Sequence, residues 1–148
     1  MRRALLLIAF AFAASAAPAQ IRVPLLAPRQ PAAPVLTGID ALRADFLART
    51  GTDTVYFGAD NAQLGAPARG VLQAQAIWLL QHPEVVVRIE GHADSGDTRD
   101  HALAMGAKRA EEVRDALVLL GVPAAQLTTM SWGKERPGPP RAVTVLVR

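Results

Sequence analysis

Residues 85–94 read VVVRIEGHAD, and the first six of them, residues 85–90, carry the strongest strand signal in the chain. Val85, Val87 and Ile89 alternate with their neighbours at the period of two that is typical of a strand with distinct faces. The segment 91–97 that follows contains two glycines and predicts a loop. A central strand is therefore expected, with a polar loop at its carboxyl end.

One amphipathic helix is predicted before this strand in the sequence and another after it. Apolar residues recur at helical spacing over residues 67–81 and again over 99–120, where Gly121 and Pro123 end the pattern. The inner stripe expected for the first helix is Ala68, Leu72, Ala76 and Leu79. The inner stripe expected for the second is Leu103, Ala110, Val113, Leu117 and Leu120. Three shorter strands are expected, over residues 54–57, 127–132 and 142–147. The order β-α-β-α-β-β predicts an α+β domain over residues 52–148, with two main helices packed on one face of a single mixed sheet.

The first 19 residues predict a secretory signal peptide. Two arginines precede an apolar run over residues 4–14 and a stretch of small residues. That run is well short of the ~20 residues that a membrane-spanning helix needs. Cleavage after Ala19 is the first interpretation, and cleavage after Ala16 is the second. Four prolines within residues 20–36 favour an extended linker, and residues 37–51 predict a short helix or more linker.

Charge and cysteine content exclude several classes of function. Two of the 16 basic residues lie in the signal peptide, which leaves 14 against 13 acidic residues, without a basic cluster. Nucleic acid is therefore not an expected partner. The chain has no cysteine, so we expect no disulfide, no thiolate metal site and no lipid on an N-terminal cysteine. Sequence motifs for nucleophilic hydrolysis or nucleotide binding are missing, and no enzymatic activity, catalytic residue, metal or cofactor is expected.

Two segments carry a resemblance to a known family. IEGHAD at residues 89–94 and SWGKERP at residues 131–137, with Lys108-Arg109-Ala110 between them, resemble the C-terminal domain of the OmpA-like family. The similarity is greatest to the peptidoglycan-associated lipoproteins and runs from Val55 to the C-terminus. It implies an OmpA-like domain in the periplasm, associated with the cell wall or outer membrane. It also implies non-covalent binding of peptidoglycan through the diaminopimelate of the stem peptide, which contributes to envelope integrity.

The same resemblance assigns the binding residues. Asp94 and Arg109 correspond to the pair that holds diaminopimelate, and Asp60 and Arg141 are further candidates for the same cleft. Diaminopimelate offers an ammonium and a carboxylate, so an acid and an arginine are chemically suited to it. Both side chains of the main pair are expected at the surface, where either one could instead serve only the loop or the helix.

Departures from the family pattern keep other functions open. Ala102 replaces a usual asparagine, His101 replaces a usual tyrosine, and the lipid-bearing cysteine is missing. One alternative is therefore an interaction module of the same fold that has lost peptidoglycan binding and contacts other envelope proteins. A weaker alternative is a zinc site of His92, Asp94 and His101 with Glu90 as a base.

Overall fold

A computed structural model describes residues 38–147 of the chain. The predicted signal peptide and proline-rich linker lie outside these residues. Four strands form one sheet in the order β1-β4-β2-β3. The strands are β1 (Thr54–Tyr56), β2 (Val87–His92), β3 (Leu127–Gly133) and β4 (Arg141–Leu146). The helices are α1 (Ile39–Thr50), α2 (Ala66–Gln81) and α3 (Arg99–Leu119), and a 3-10 turn, Ala124–Gln126, precedes β3.

The sheet is mixed, as predicted. β2 pairs in parallel with β3 on one side and antiparallel with β4 on the other, and β4 also pairs antiparallel with β1. Helices follow β1 and β2, so the order β-α-β-α-β-β and the α+β class are both confirmed. The two main helices of the prediction are α2 and α3, and α1 is a further helix within residues 37–51, where a short helix or more linker was predicted.

β2 extends further than the sequence predicted. The loop expected from residue 91 begins only at Ala93, because Gly91 pairs with Ala142 of β4 and with Ser131 of β3. Gly91 also lies directly beneath α3: a Cβ at this position would be 1.8 Å from the carbonyl oxygen of Gly106. The glycine therefore belongs to the sheet, where its missing side chain lets the helix pack against the strand.

The apolar stripes match the core closely in α2 and only partly in α3. Every predicted inner residue of α2 is buried, namely Ala68, Leu72, Ala76 and Leu79. In α3, Ala110, Val113 and Leu117 are buried, whereas Leu103 and Leu120 are more than a third exposed. The prediction was wrong for these two leucines, because the face against the sheet runs through positions 102, 106, 109, 113 and 117 at helical spacing.

α1 is part of the folded domain. Phe46 packs edge-on against Trp78 of α2 with 5.1 Å between ring centroids, and the Trp78 indole donates to Asp45 at 2.7 Å. A helix therefore forms where the sequence predicted a short helix or more linker, and its aromatic face packs onto the domain predicted over residues 52–148. Over residues 38–147, none of the helices combines the length and the apolar content needed to cross a bilayer.

Candidate functional site

Three loops meet at the edge of the sheet where α3 begins. β1, β2 and β3 run in one direction, so their carboxyl ends lie at this edge. The loops are residues 57–65 after β1, 93–98 after β2 and 134–140 after β3. Thr98 caps α3 by accepting the amide N–H of His101 at 3.4 Å. Polar groups distant in sequence are thus collected around one helix N-terminus.

The side chain of Arg109 lies buried among the groups that meet at this end of the sheet. This side chain is 1% exposed, and its guanidinium donates to three backbone carbonyls. Nε donates to Asn61 at 2.9 Å, Nη1 to His92 at 2.9 Å and Nη2 to Gly58 at 3.1 Å. The guanidinium also lies 5.7 Å from the ring centroid of Phe57. A single side chain therefore joins α3 to the end of β2 and to the loop after β1.

The expectation that Arg109 lies at the surface was wrong. Burial lowers the pKa of Arg109, while the nearby carboxylates of Asp94, Asp97 and Asp60 favour its charged form. Three of its five N–H groups are used by the backbone carbonyls, which leaves two. The site thus consists of a buried cation beneath a rim of carboxylates.

Asp94 and Asp60 have different surroundings on this rim. Asp94 is partly buried, and its carboxylate makes no ion pair or hydrogen bond within residues 38–147. Asp60 is exposed, adopts a left-handed φ of 48° and accepts a hydrogen bond from Nε2 of His101 at 2.7 Å. The structure therefore leaves Asp94 open to a ligand, whereas Asp60 fastens the loop after β1 to α3.

The loop after β2 is held from the opposite side by the turn after β3. Lys134 donates to the backbone carbonyl of Asp97 at 2.6 Å, and Arg99 pairs with Glu135 at 3.2 Å. Beneath the loop, Ala102 packs in a small buried cluster with Ala93 and Met105. Apolar packing thus occupies the position where the family carries asparagine, and polar bonds at the loop's rim fix its path.

Arg141 is separated from the other predicted residues. It pairs with His92 across β4 and β2, so both side chains lie on the face of the sheet turned away from the helices, here called the open face. Arg109 approaches His92 from the helix side, through the backbone carbonyl. The structure brings Asp60, Asp94 and Arg109 together, and the thickness of the sheet separates Arg141 from them.

The residues of the alternative zinc site are likewise divided between two faces. The His92 side chain is buried on the open face, while His101 pairs with Asp60 on the helix side. No group of three histidine, aspartate or glutamate side chains within residues 38–147 is arranged to hold a metal ion. The geometry gives no support to a zinc site here.

His92 makes folding sensitive to mild acid. Burial and the neighbouring Arg141 and Arg136 lower its pKa to about 4, although Glu90 opposes this shift. Below about pH 6.5, the pKa of histidine in the unfolded chain, His92 is protonated in the unfolded chain but stays neutral in the folded protein. The free energy of unfolding therefore decreases as the pH is lowered. Between pH 6.5 and 5 the expected loss is about 1.5 kcal/mol, since the slope is only half of ~1.4 kcal/mol per pH unit at pH 6.5 and approaches the full value at lower pH.

Urea unfolding of the wild type and of His92→Gln across this pH range checks the prediction. The variant lacks the titrating group, so its free energy of unfolding should change much less between pH 6.5 and 5. Equal pH dependence in the two proteins would contradict the assignment.

Helical spacing contained a signal for the burial of Arg109. Arg109 lies three residues after Gly106 and four before Val113, on the stripe that faces the sheet. The contact between His101 and Asp60 had no such signal, because 41 residues separate the two side chains. Only the packing of the loop after β1 onto α3 brings them together.

Comparison with known proteins gives consistent matches over this domain. A model described as the OmpA family matches residues 56–144. The peptidoglycan-associated lipoprotein of Agrobacterium fabrum is 44% identical over 93 residues, which are 63% of this chain and 52% of the relative. That of Pseudomonas aeruginosa is 39% identical over 99 residues, 67% of this chain and 58% of the relative. The chain spans about half the length of the curated relatives it matches.

Solved structures show the same fold. The peptidoglycan-associated lipoprotein from Burkholderia pseudomallei is 37% identical with a TM-score of 0.63, covering 66% of this chain and 92% of that one. The C-terminal domain of Helicobacter pylori MotB is 19% identical with a TM-score of 0.57, covering 64% of this chain and 82% of that one. At that identity the second similarity concerns the fold alone.

Proposed function

The chain belongs to the OmpA family, and from this membership we propose that it binds peptidoglycan non-covalently in the bacterial cell envelope. The relatives that are 44% identical are named as peptidoglycan-associated lipoproteins, which supports this role. The proposal is one of binding without catalysis. It includes a periplasmic location at the cell wall or outer membrane, where contacts with other envelope proteins would also take place.

The proposed ligand group is the diaminopimelate of the stem peptide. Its ammonium would pair with Asp94, which the resemblance assigns to this role. The Asp94 carboxylate, like that of Asp97, has no partner within the described residues, and this open carboxylate beside Arg109 is the observation that carries the proposal. Its carboxylate would approach the two N–H groups that Arg109 does not give to backbone carbonyls. The N-terminus of α3 favours an anion at the same place through its free amide groups.

The remaining candidates have supporting roles in this proposal. Asp60 would shape the cleft by its bond to His101, which holds the loop after β1 against α3. Arg141 would contribute only indirectly, because the sheet lies between its side chain and Arg109. Its link to the site is the pairing of β4 with the end of β2. The pair that contacts the ligand is therefore Asp94 and Arg109.

Co-sedimentation of the full chain with purified sacculi tests the proposed function. We expect the protein to sediment with sacculi and to be released by free diaminopimelate. Lysine is the matched competitor, because it has the side-chain ammonium but lacks the second carboxylate, and it should release far less protein. A folded protein that stays in the supernatant would overturn the proposal and favour the interaction module that has lost peptidoglycan binding.

A further inference from the structure

The open face carries an excess of arginine. Arg88 donates to one oxygen of Glu90 through Nε at 3.0 Å and Nη2 at 2.7 Å, and Arg136 donates to the other oxygen at 2.9 Å. Arg141 donates to the carbonyl of Pro139 at 3.1 Å and pairs with no carboxylate within residues 38–147. One buried carboxylate thus serves two guanidiniums, and a third has no acidic partner.

Two buried nitrogens on this face also have no hydrogen-bond partner in the described part of the chain. They are Nδ1 of His92 and Nε1 of Trp132. The indole N–H can only donate, and an unpaired buried donor costs about 1–3 kcal/mol. By contrast, the other tryptophan, Trp78, donates to Asp45 at 2.7 Å. The free donor at Trp132 therefore indicates that an acceptor belongs on the open face.

Trp132 lies close to the arginines. The Arg136 guanidinium covers its ring at 3.8 Å from the centroid, and the same guanidinium reaches Glu90. The charges that act on His92 come from Glu90, Arg136 and Arg141. An acceptor placed here would meet a net positive surface, so an anion is favoured over a neutral group.

The side chains around this cluster are those that protein interfaces use. Tyr56 and Met130 are 62% and 38% exposed on the outer strands of the sheet. Together with Trp132 and the arginines they form a surface of Tyr, Met, Trp and Arg, the residue types that are enriched at interfaces, while acidic and lysine side chains are depleted there. The helices pack on the other face, but Glu90 and His92 are only 3% and 1% exposed, so the neighbouring groups of this cluster already shield them from solvent.

We propose that the open face binds an extended segment of a second protein, which places a carboxylate against Arg136 and Arg141 and apolar side chains against Tyr56 and Trp132. The carboxylate would accept from the indole N–H of Trp132 and balance the third guanidinium. This surface is separated from the rim of Asp94 by the sheet, so the inference does not depend on peptidoglycan binding.

Nitrogen-15 NMR of the full chain tests the proposal with a defined probe. The probe is acetyl-Phe-Glu-Phe-amide, and its matched control is acetyl-Phe-Gln-Phe-amide, which differs only by the charge. We expect the glutamate peptide to shift the Trp132 indole signal saturably and to leave the Trp78 indole unchanged. The glutamine peptide should bind at least about tenfold more weakly, which corresponds to ~1.4 kcal/mol.

Variants and a free anion distinguish the possible results. Arg136→Gln and Arg141→Gln should each weaken binding of the glutamate peptide at least about tenfold, and Arg136→Gln should still sediment with sacculi. The absence of a saturable shift, or equal responses to both peptides, would overturn the proposal. If inorganic phosphate shifts Trp132 as strongly as the peptide does, the face is a site for small anions and the docking proposal fails.

Discussion

Arg109→Ala is expected to destabilise the domain by about 3–5 kcal/mol, because three backbone carbonyls lose their donor at once. Each buried carbonyl left unpaired costs about 1–3 kcal/mol. Water can reach the carbonyls of the loop after β1 once the side chain is gone, so the total loss stays below the sum of three full penalties. A loss of this size is a large part of the 5–15 kcal/mol that is typical of small domains. Urea unfolding monitored by circular dichroism measures it.

Arg109→Lys is the matched variant for this prediction. Lysine keeps the charge, but its single ammonium cannot span carbonyls on two separate loops as the planar guanidinium does. We therefore expect an intermediate loss of stability together with weaker binding to sacculi. If Arg109→Ala unfolds with a free energy within ~0.5 kcal/mol of the wild type, the three bonds do not support the fold.

Asp94→Ala is expected to abolish sedimentation with sacculi while the domain stays folded. Removing one partner of a buried charge pair costs about 2–5 kcal/mol of binding, which corresponds to a roughly thirtyfold or greater loss of affinity. Asp94 has no hydrogen-bond partner within residues 38–147, so its removal leaves no hydrogen-bonding group unpaired, and Asp97 and Asp60 still favour the charge of Arg109. Binding and stability should therefore separate at Asp94, although they change together at Arg109.

Two variants control the Asp94 experiment. Asp94→Asn keeps the shape but removes the charge, and it should bind as poorly as the alanine variant. Asp100→Ala removes an exposed carboxylate from the first turn of α3, close to the site, and should bind like the wild type. Unchanged sedimentation of both Asp94 variants would exclude this carboxylate from the site.

The fold could be predicted from local pattern because its elements have distinct periods. The alternation of Val85, Val87 and Ile89 predicted the central strand, and all three side chains are fully buried. The helical spacing predicted α2 and most of the inner face of α3. The error at Leu103 arose because an apolar residue at the margin of a helical stripe fits more than one phase of the helix.

The site could be predicted only as a list of residues. Asp94 and Arg109 were identified from a resemblance, and they do lie near one another at one edge of the sheet. Their environments were not predictable, since burial depends on which loop covers a side chain. Arg109 is covered by the loop after β1, which starts about 50 residues before it.

By itself, the sequence determined the order of helices and strands and the central strand, and it supplied Asp94 and Arg109 as candidate binding residues, because periodicity and short motifs are local properties. Only the tertiary structure decided that Arg109 is a buried link between loops, that His101 holds Asp60 and that Arg141 lies on the open face. Those features follow from strand register and helix docking, and these depend on contacts between residues far apart in the chain.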